Sequence, residues 1–185
     1  MAGAIPAAGR ILEIGCGHGL LSSYLTLESR HREVWGTDVD GTKIRAAERA
    51  ARRSGANIRF LAIEAGELPE GPWDAVAVVD VLYLMEPADQ ERLLRRAAAL
   101  LAPGGVLVVK EMGSRPAWKF MIMRLQEVAA VRLLRITAGA TLDFVPPDGA
   151  AEWLRSTGLE VESRPIDAGY PHPHHLLVAR RLPSG

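Results

Sequence analysis

Apolar residues along this chain fall into two alternating kinds of run. Short runs of five to seven residues, at 10–14, 33–37, 58–63, 73–79, 106–110, 159–163 and 175–180, are rich in Val, Ile, Leu and Trp. They read as strands. The 73–79 run, Trp-Asp-Ala-Val-Ala-Val-Val, is apolar almost throughout, as a strand covered on both faces of a parallel sheet must be. Between them lie stretches with helical spacing. Residues 18–28 follow the first strand, and 42–54 are rich in Ala and Arg and stop at Gly55, a glycine suited to ending a helix. Residues 87–101 open on Pro87 and place Leu93, Leu94, Ala97, Leu100 and Leu101 on one face. A last helix opens at Pro146-Pro147 and closes at Gly158.

Strands alternating with helices predict a parallel sheet with right-handed crossovers. The final two strands are joined by only about ten residues without a helical pattern, too few for a parallel crossover, so the seventh strand should run antiparallel. The expected architecture is a single α/β domain over 1–185. It is a three-layer αβα sandwich on a seven-stranded, mostly parallel sheet. Residues 1–9, all small or apolar, are expected to be disordered.

Composition narrows the function classes. The 185 residues carry 22 basic and 22 acidic side chains, so no whole-protein field draws the chain to nucleic acid. One cysteine gives no internal disulfide. A reducing cytoplasm fits. Residues 1–10 lack the pattern of a secretory leader, and no apolar run is long enough to span a bilayer. No set of residues has metal-ligand spacing.

The chemistry gathers at the strand ends. Residues 11–20, Ile-Leu-Glu-Ile-Gly-Cys-Gly-His-Gly-Leu, run from a strand through three alternate glycines into a helix, a turn where backbone can approach a ligand closely. Glu13 stands two residues before the first glycine. Ligands of doubly wound sheets sit beyond the carboxyl ends of the strands. There the chain places Asp38 and Val39 after strand two, Glu64 and Ala65 after strand three, Asp80 and Tyr83 after strand four, and Glu111 after strand five. An acid after strand two can accept from both hydroxyls of a ribose, and one after strand three from an adenine amine. Asp38 could alternatively cap the next helix. A dinucleotide loop spaces its glycines G-x-G-x-x-G; here the third falls at Gly19, with Leu20 in the place that pattern requires.

The E-x-G-x-G-x-G loop with strand-end acids resembles the class I S-adenosylmethionine-dependent methyltransferases. The resemblance covers residues 10–112, where ILEIGCGHG, VWGTDVD, FLAIEAGELP, WDAVAVVDVLYLM and LLAPGGVLVV follow in the family's order. It implies a strand order 3-2-1-4-5-7-6 and S-adenosyl-L-methionine as cofactor. Residue by residue, it implies that Gly15, Cys16 and Gly17 line the methionine part, with Glu13 near its amino group. Asp38 then holds the ribose and Val39 flanks adenine. Glu64 and Ala65 bind the adenine edge, and Asp80 approaches the amino-acid end. The Cys16 side chain itself reads as a small apolar filler. Glu64 departs from the family's commoner Asp. The helices that usually precede strand one are largely missing from this sequence.

The expected activity is methyl transfer to a small-molecule acceptor. The alternatives are a non-catalytic module that binds the same cofactor and, further off, a nicotinamide-dependent oxidoreductase. Candidates for a catalytic base are His172 and His174, with His175 beside them, and Glu111 and Tyr83 across the site. Strand four ends in Asp80-Val81-Leu82-Tyr83 rather than Asn/Asp-Pro-Pro-Tyr, which disfavours nucleobase and protein-amide acceptors. Residues 118–136 read as a helix apolar nearly all round, within a lid or insertion spanning 113–145. That excess could cover an apolar acceptor, form a homodimer face or lie on a membrane.

Overall fold

The computed structural model describes residues 1–112, 145–166 and 174–183. The 118–136 segment, most of the 113–145 lid and His172 lie outside the described residues.

Seven strands form one sheet in the order β3-β2-β1-β4-β5-β7-β6. They are β1 Gly9–Ile14, β2 Arg32–Asp38, β3 Ile58–Ala62, β4 Trp73–Val79, β5 Leu101–Met112, β6 Glu160–Pro165 and β7 His174–Arg180. The first five are parallel, and β7 is antiparallel to both β5 and β6. The short β6–β7 connection enforces that reversal. Among the described residues the α-helices are α1 Leu20–Glu28, α2 Gly41–Ser54, α3 Pro87–Ala99 and α4 Pro147–Arg155.

Strand alternation sends side chains to two cores. Leu12, Val76, Val78, Leu107 and Val109 face Leu94 of α3 and Leu154 of α4. Ile11, Ala75, Ala77, Val106 and Val108 face the other way, with Leu25 of α1. Helix α2 packs Ile44, Ala47 and Ala51 on Phe60 and Cys16. Its start is set by Asp40, whose carboxylate accepts from the Thr42 and Lys43 amides at 2.8 and 3.3 Å. Its end is set by Gly55 at φ 68°.

Two local expectations are corrected. Residues 1–9 are ordered. Ala2–Ala4 form a 3-10 turn, and Ile5, 4% exposed, joins the core beside Ile11 and Leu25. Buried Arg32 fixes this segment, donating from Nε to the Pro6 carbonyl at 2.7 Å and from Nη2 to Ile5 at 3.3 Å. Composition alone hid this anchor, which sits more than twenty residues downstream. The second correction is at β5, which starts at Leu101 rather than Val106. Trp73 pairs with Leu101 and Ala75 with Val106, so residues 102–105 bulge out of the ladder around Pro103 and Gly104.

The β3–β4 connection carries no helix. Its side of the sheet is covered instead by aromatic rings and guanidiniums. Trp35 meets Trp73 edge-on at 5.2 Å, Arg59 lies 4.3 Å over Trp35, and Arg10 lies 4.3 Å over Trp73.

Gly36 is the tightest position in the middle of β2. It pairs with Glu13 on one side and Phe60 on the other. A Cβ there would stand 2.8 Å from the Phe60 ring and 2.9 Å from Ser22 Oγ. Gly36→Ala is expected to cost about 1–3 kcal/mol of stability by overpacking, read as a lower urea midpoint. Gly17→Ala, where a Cβ would meet nothing within 4 Å at φ 53°, should cost only about 1 kcal/mol of backbone strain. Equal stability of Gly36→Ala and wild type would refute the packing account.

Candidate active site

The loop after β1 is built from hydrogen bonds to its neighbours. The Cys16 amide donates to the Thr37 carbonyl at 2.8 Å, and the Gly19 amide to the Cys16 carbonyl at 2.8 Å. Gly15, Gly17 and Gly19 all have positive φ, at 73°, 53° and 74°. Their surroundings differ. A Cβ on Gly15 would collide with Val81, and one on Gly19 would lie 2.5 Å from Phe60. Those two glycines permit close packing inside the protein. Over Gly17 there is open space, so the middle glycine presents bare backbone outward. Helix α1 begins at Leu20, two residues later than expected, with Gly19 as its N-cap.

Asp38 joins this loop to β2. It is 9% exposed, and its Oδ2 accepts from the Gly17 amide at 2.8 Å while Oδ1 accepts from Asp40 at 2.9 Å. The helix cap is Asp40, so Asp38 is released from that role. Two accepted bonds leave lone-pair capacity on both oxygens. Beside it Val39 is 68% exposed, and Glu64 and Ala65 are exposed in the turn after β3. The Ile63 amide donates to the Asp38 carbonyl at 3.1 Å, which brings the two strand exits together. Asp38, Val39, Glu64 and Ala65 thus share one edge beyond the strand ends.

Glu13 lies under the loop rather than at its open rim. It is 4% exposed and accepts a hydrogen bond from the Ser22 hydroxyl. Burial raises its carboxyl to about 7, and the neighbouring Asp38 charge adds to the effect. Burial likewise pushes the Cys16 thiol up to about 12, with Glu13 and Asp38 contributing. The Cys16 thiol stays protonated and fills space beside Ile44 and Ala47.

The exits of β4 and β5 and the start of β7 form the opposite rim. Asp80 has φ 55°, an unfavourable conformation for a non-glycine residue and one that concentrates at functional sites. Its carboxylate takes the Lys110 ammonium on both oxygens, at 2.7 and 2.5 Å. Glu111 Oε1 accepts from the Val81 and Leu82 amides at 3.0 and 2.8 Å. Burial raises its carboxyl to about 7, against the lowering effect of those amides. His175 pairs across the ladder with Glu111, and its Nε2 lies 2.7 Å from Ser163 Oγ. Tyr83, Glu111, Pro147 and His175 line a small pocket between these exits and the first turn of α4. His174, at the start of β7, pairs with Met112.

Sequence reasoning did not single out Lys110 or Ser22. Lys110 was findable, as a lone cation at the end of an apolar strand beside Glu111. Ser22 gives no signal, because its partner lies nine residues away and across the turn.

Residues 11–105 match the family model described as a methyltransferase domain. The ubiquinone biosynthesis O-methyltransferase of Xylella fastidiosa (strain 9a5c) is 35% identical over 164 residues, covering 85% of this chain and 64% of that protein. The chain therefore spans less than two thirds of that relative. An O-methyltransferase family protein from Burkholderia thailandensis has the same fold at a TM-score of 0.78 and 20% identity, over 99% of this chain and 54% of the other. Magnesium protoporphyrin IX methyltransferase from Synechocystis PCC 6803, solved with bound S-adenosylhomocysteine, superposes at 0.73 and 17% identity, over 97% and 76%. The matched domain holds the glycine loop, Asp38, Glu64 and the β4 exit, and on it the chain belongs to the class I S-adenosylmethionine-dependent methyltransferases.

Proposed function

We propose that this protein transfers a methyl group from S-adenosylmethionine to a hydroxyl oxygen of a small-molecule acceptor. The observation that carries the reading is the Asp38 carboxylate docked on the Gly17 amide, with the open backbone of Gly17 on one side and exposed Val39 on the other. The residues present fit the cofactor. Asp38 keeps acceptor capacity for a ribose diol, Val39 offers an uncovered apolar face for a purine, and Glu64 and Ala65 border its edge. Gly15, Cys16 and Gly17 give backbone for the methionine part, with Glu13 beneath and Asp80 opposite. Oxygen as the accepting atom is carried over from the Xylella relative, whose name is that of an O-methyltransferase.

When bound, the cofactor supplies a methyl on a sulfonium, which needs an aligned acceptor more than a strong acid or base. The protein's part is to orient, to exclude water and to take one proton. Glu111 is the described group best suited to the last task. Its Oε1 is fixed by the Val81 and Leu82 amides, and its raised value of about 7 places it near the working pH. Tyr83, His174 and His175 stand in the same region. His172, the lid and a dimer face through 118–136 remain sequence expectations.

Asp38→Ala is expected to weaken S-adenosylmethionine binding at least about 100-fold, since it removes the ribose acceptor and releases the Gly17 amide. Helix content should persist because Asp40 caps α2. Calorimetry and circular dichroism check both, and unchanged affinity would sink the ribose assignment. Glu13 predicts a pH dependence. Its folded carboxyl is neutral below about 7, and a cationic ligand nearby favours the ionised form. Affinity should therefore rise roughly tenfold from pH 6 to pH 8 with release of a proton, and Glu13→Gln should flatten the rise. A slope that survives in Glu13→Gln points to Glu111 instead. Glu111→Gln should lower turnover about 10²–10⁴-fold, followed as homocysteine formed across a panel of phenols and alcohols, with cofactor affinity unchanged. Full turnover in that variant would remove Glu111 from the mechanism.

A further inference from the structure

The Asp80–Lys110 pair sits at the exits of β4 and β5 and is tied twice. The Asp80 amide donates to the Lys110 carbonyl at 2.9 Å, and the Lys110 ammonium contacts both carboxylate oxygens. Exposure within the pair is unequal: the Asp80 side chain is 39% exposed and the Lys110 side chain 18%. The acid is thus open to an incoming group while its cation lies behind it. Lysine suits such an arrangement. Its ammonium is a point charge on a flexible stem, whereas an arginine fork would fix both partners.

We propose that Lys110 is a cofactor-gated anion anchor: it gives up Asp80 when the cofactor's ammonium arrives there, and it then binds an ionised oxygen on the acceptor. This rests on the methyltransferase reading above, with Asp80 at the amino-acid end of the cofactor. Two ammonium groups on one carboxylate repel each other at short range, so the ligand cation and Lys110 compete for Asp80. Lys110, mostly buried, is costly without a counter-charge. Glu111 next to it on β5 leaves the strand on the opposite face, where it accepts from the Val81 and Leu82 amides. The displaced ammonium is therefore left for an anion brought from outside. The acceptor class that follows is one carrying a carboxylate or an acidic phenol close to the methylated oxygen. Cofactor and acceptor then bind with positive coupling, and the coupling is reciprocal.

The test titrates S-adenosylhomocysteine, which has the ammonium but no methyl to transfer, and benzoate as the anionic probe. Lys110→Met should bind S-adenosylhomocysteine about tenfold tighter than wild type, because the competitor is gone. Benzoate should bind wild type about tenfold tighter when S-adenosylhomocysteine is saturating, and that gain should vanish in Lys110→Met. Asp80→Asn supplies the converse, since it frees Lys110 permanently. It should bind benzoate without the nucleoside and bind the nucleoside less well. Thermal melts establish that each variant is folded. Equal S-adenosylhomocysteine affinity in wild type and Lys110→Met overturns the competition. Benzoate binding indifferent to S-adenosylhomocysteine, as when Lys110 passes to the nucleoside's own carboxylate, overturns the acceptor role. Wild type that binds neither S-adenosylmethionine nor S-adenosylhomocysteine overturns the methyltransferase reading itself, and this inference with it.

Discussion

The hydrogen bond from the Gly17 amide to Asp38 is the contact on which the site depends. It closes the space between two neighbouring parallel strands at the point where both chains turn away. Without it the glycine loop would be held mainly by the Cys16 amide on Thr37. With it, the Asp38 carboxylate and the open backbone of Gly17 are tied directly to each other. Asp38 can serve in this way only because Asp40 takes over the capping of α2. Two acids two residues apart thus divide the work: Asp40 caps the helix and Asp38 holds the loop.

A second constraint runs beneath the loop. Glu13, Ser22, Gly36 and Phe60 share a small volume in which each depends on the others. Gly36 has no side chain because Phe60 and the Ser22 hydroxyl occupy that space. Glu13 is buried because β1 is central in the sheet, and its carboxyl accepts from the Ser22 hydroxyl. A carboxyl held near neutrality in this position responds to charge above it.

The sheet itself was legible from the sequence. Apolar runs five to seven residues long, broken by glycine, proline and helical spacing, determine its strands, and the short final connection determines the reversal of β7. The strand-end acids followed from topology alone, because every parallel strand delivers its last residues to one edge. Other features were not legible, for a common reason. The order of residues 1–9 depends on Arg32, the bulge at 102–105 on Trp73 and Ala75, and the burial of Glu13 on Ser22 and Gly36. Each is a contact between segments whose local patterns carry no trace of one another. Local propensity places elements, and tertiary contact then decides which groups are buried and which are paired.

The two rims of the site also differ in kind, and the difference bears on what each can do. The β1–β2–β3 rim is organised by backbone amides on Asp38, which have fixed direction and no net charge to give up. Such a rim binds one ligand shape in one way. The β4–β5–β7 rim is organised by ionisable side chains: Asp80 with Lys110, Glu111 on two amides, and His175 with Ser163. These carry charge that can pass to a new partner, which an amide cannot do. A transferase needs that asymmetry. On the proposed reading, the first rim holds the nucleoside the same way at each turnover, while the group that meets the acceptor releases a proton and resets. In this chain the rigid half is written in glycine and aspartate at the ends of β1 and β2, and the exchangeable half in charged residues at the ends of β4 and β5.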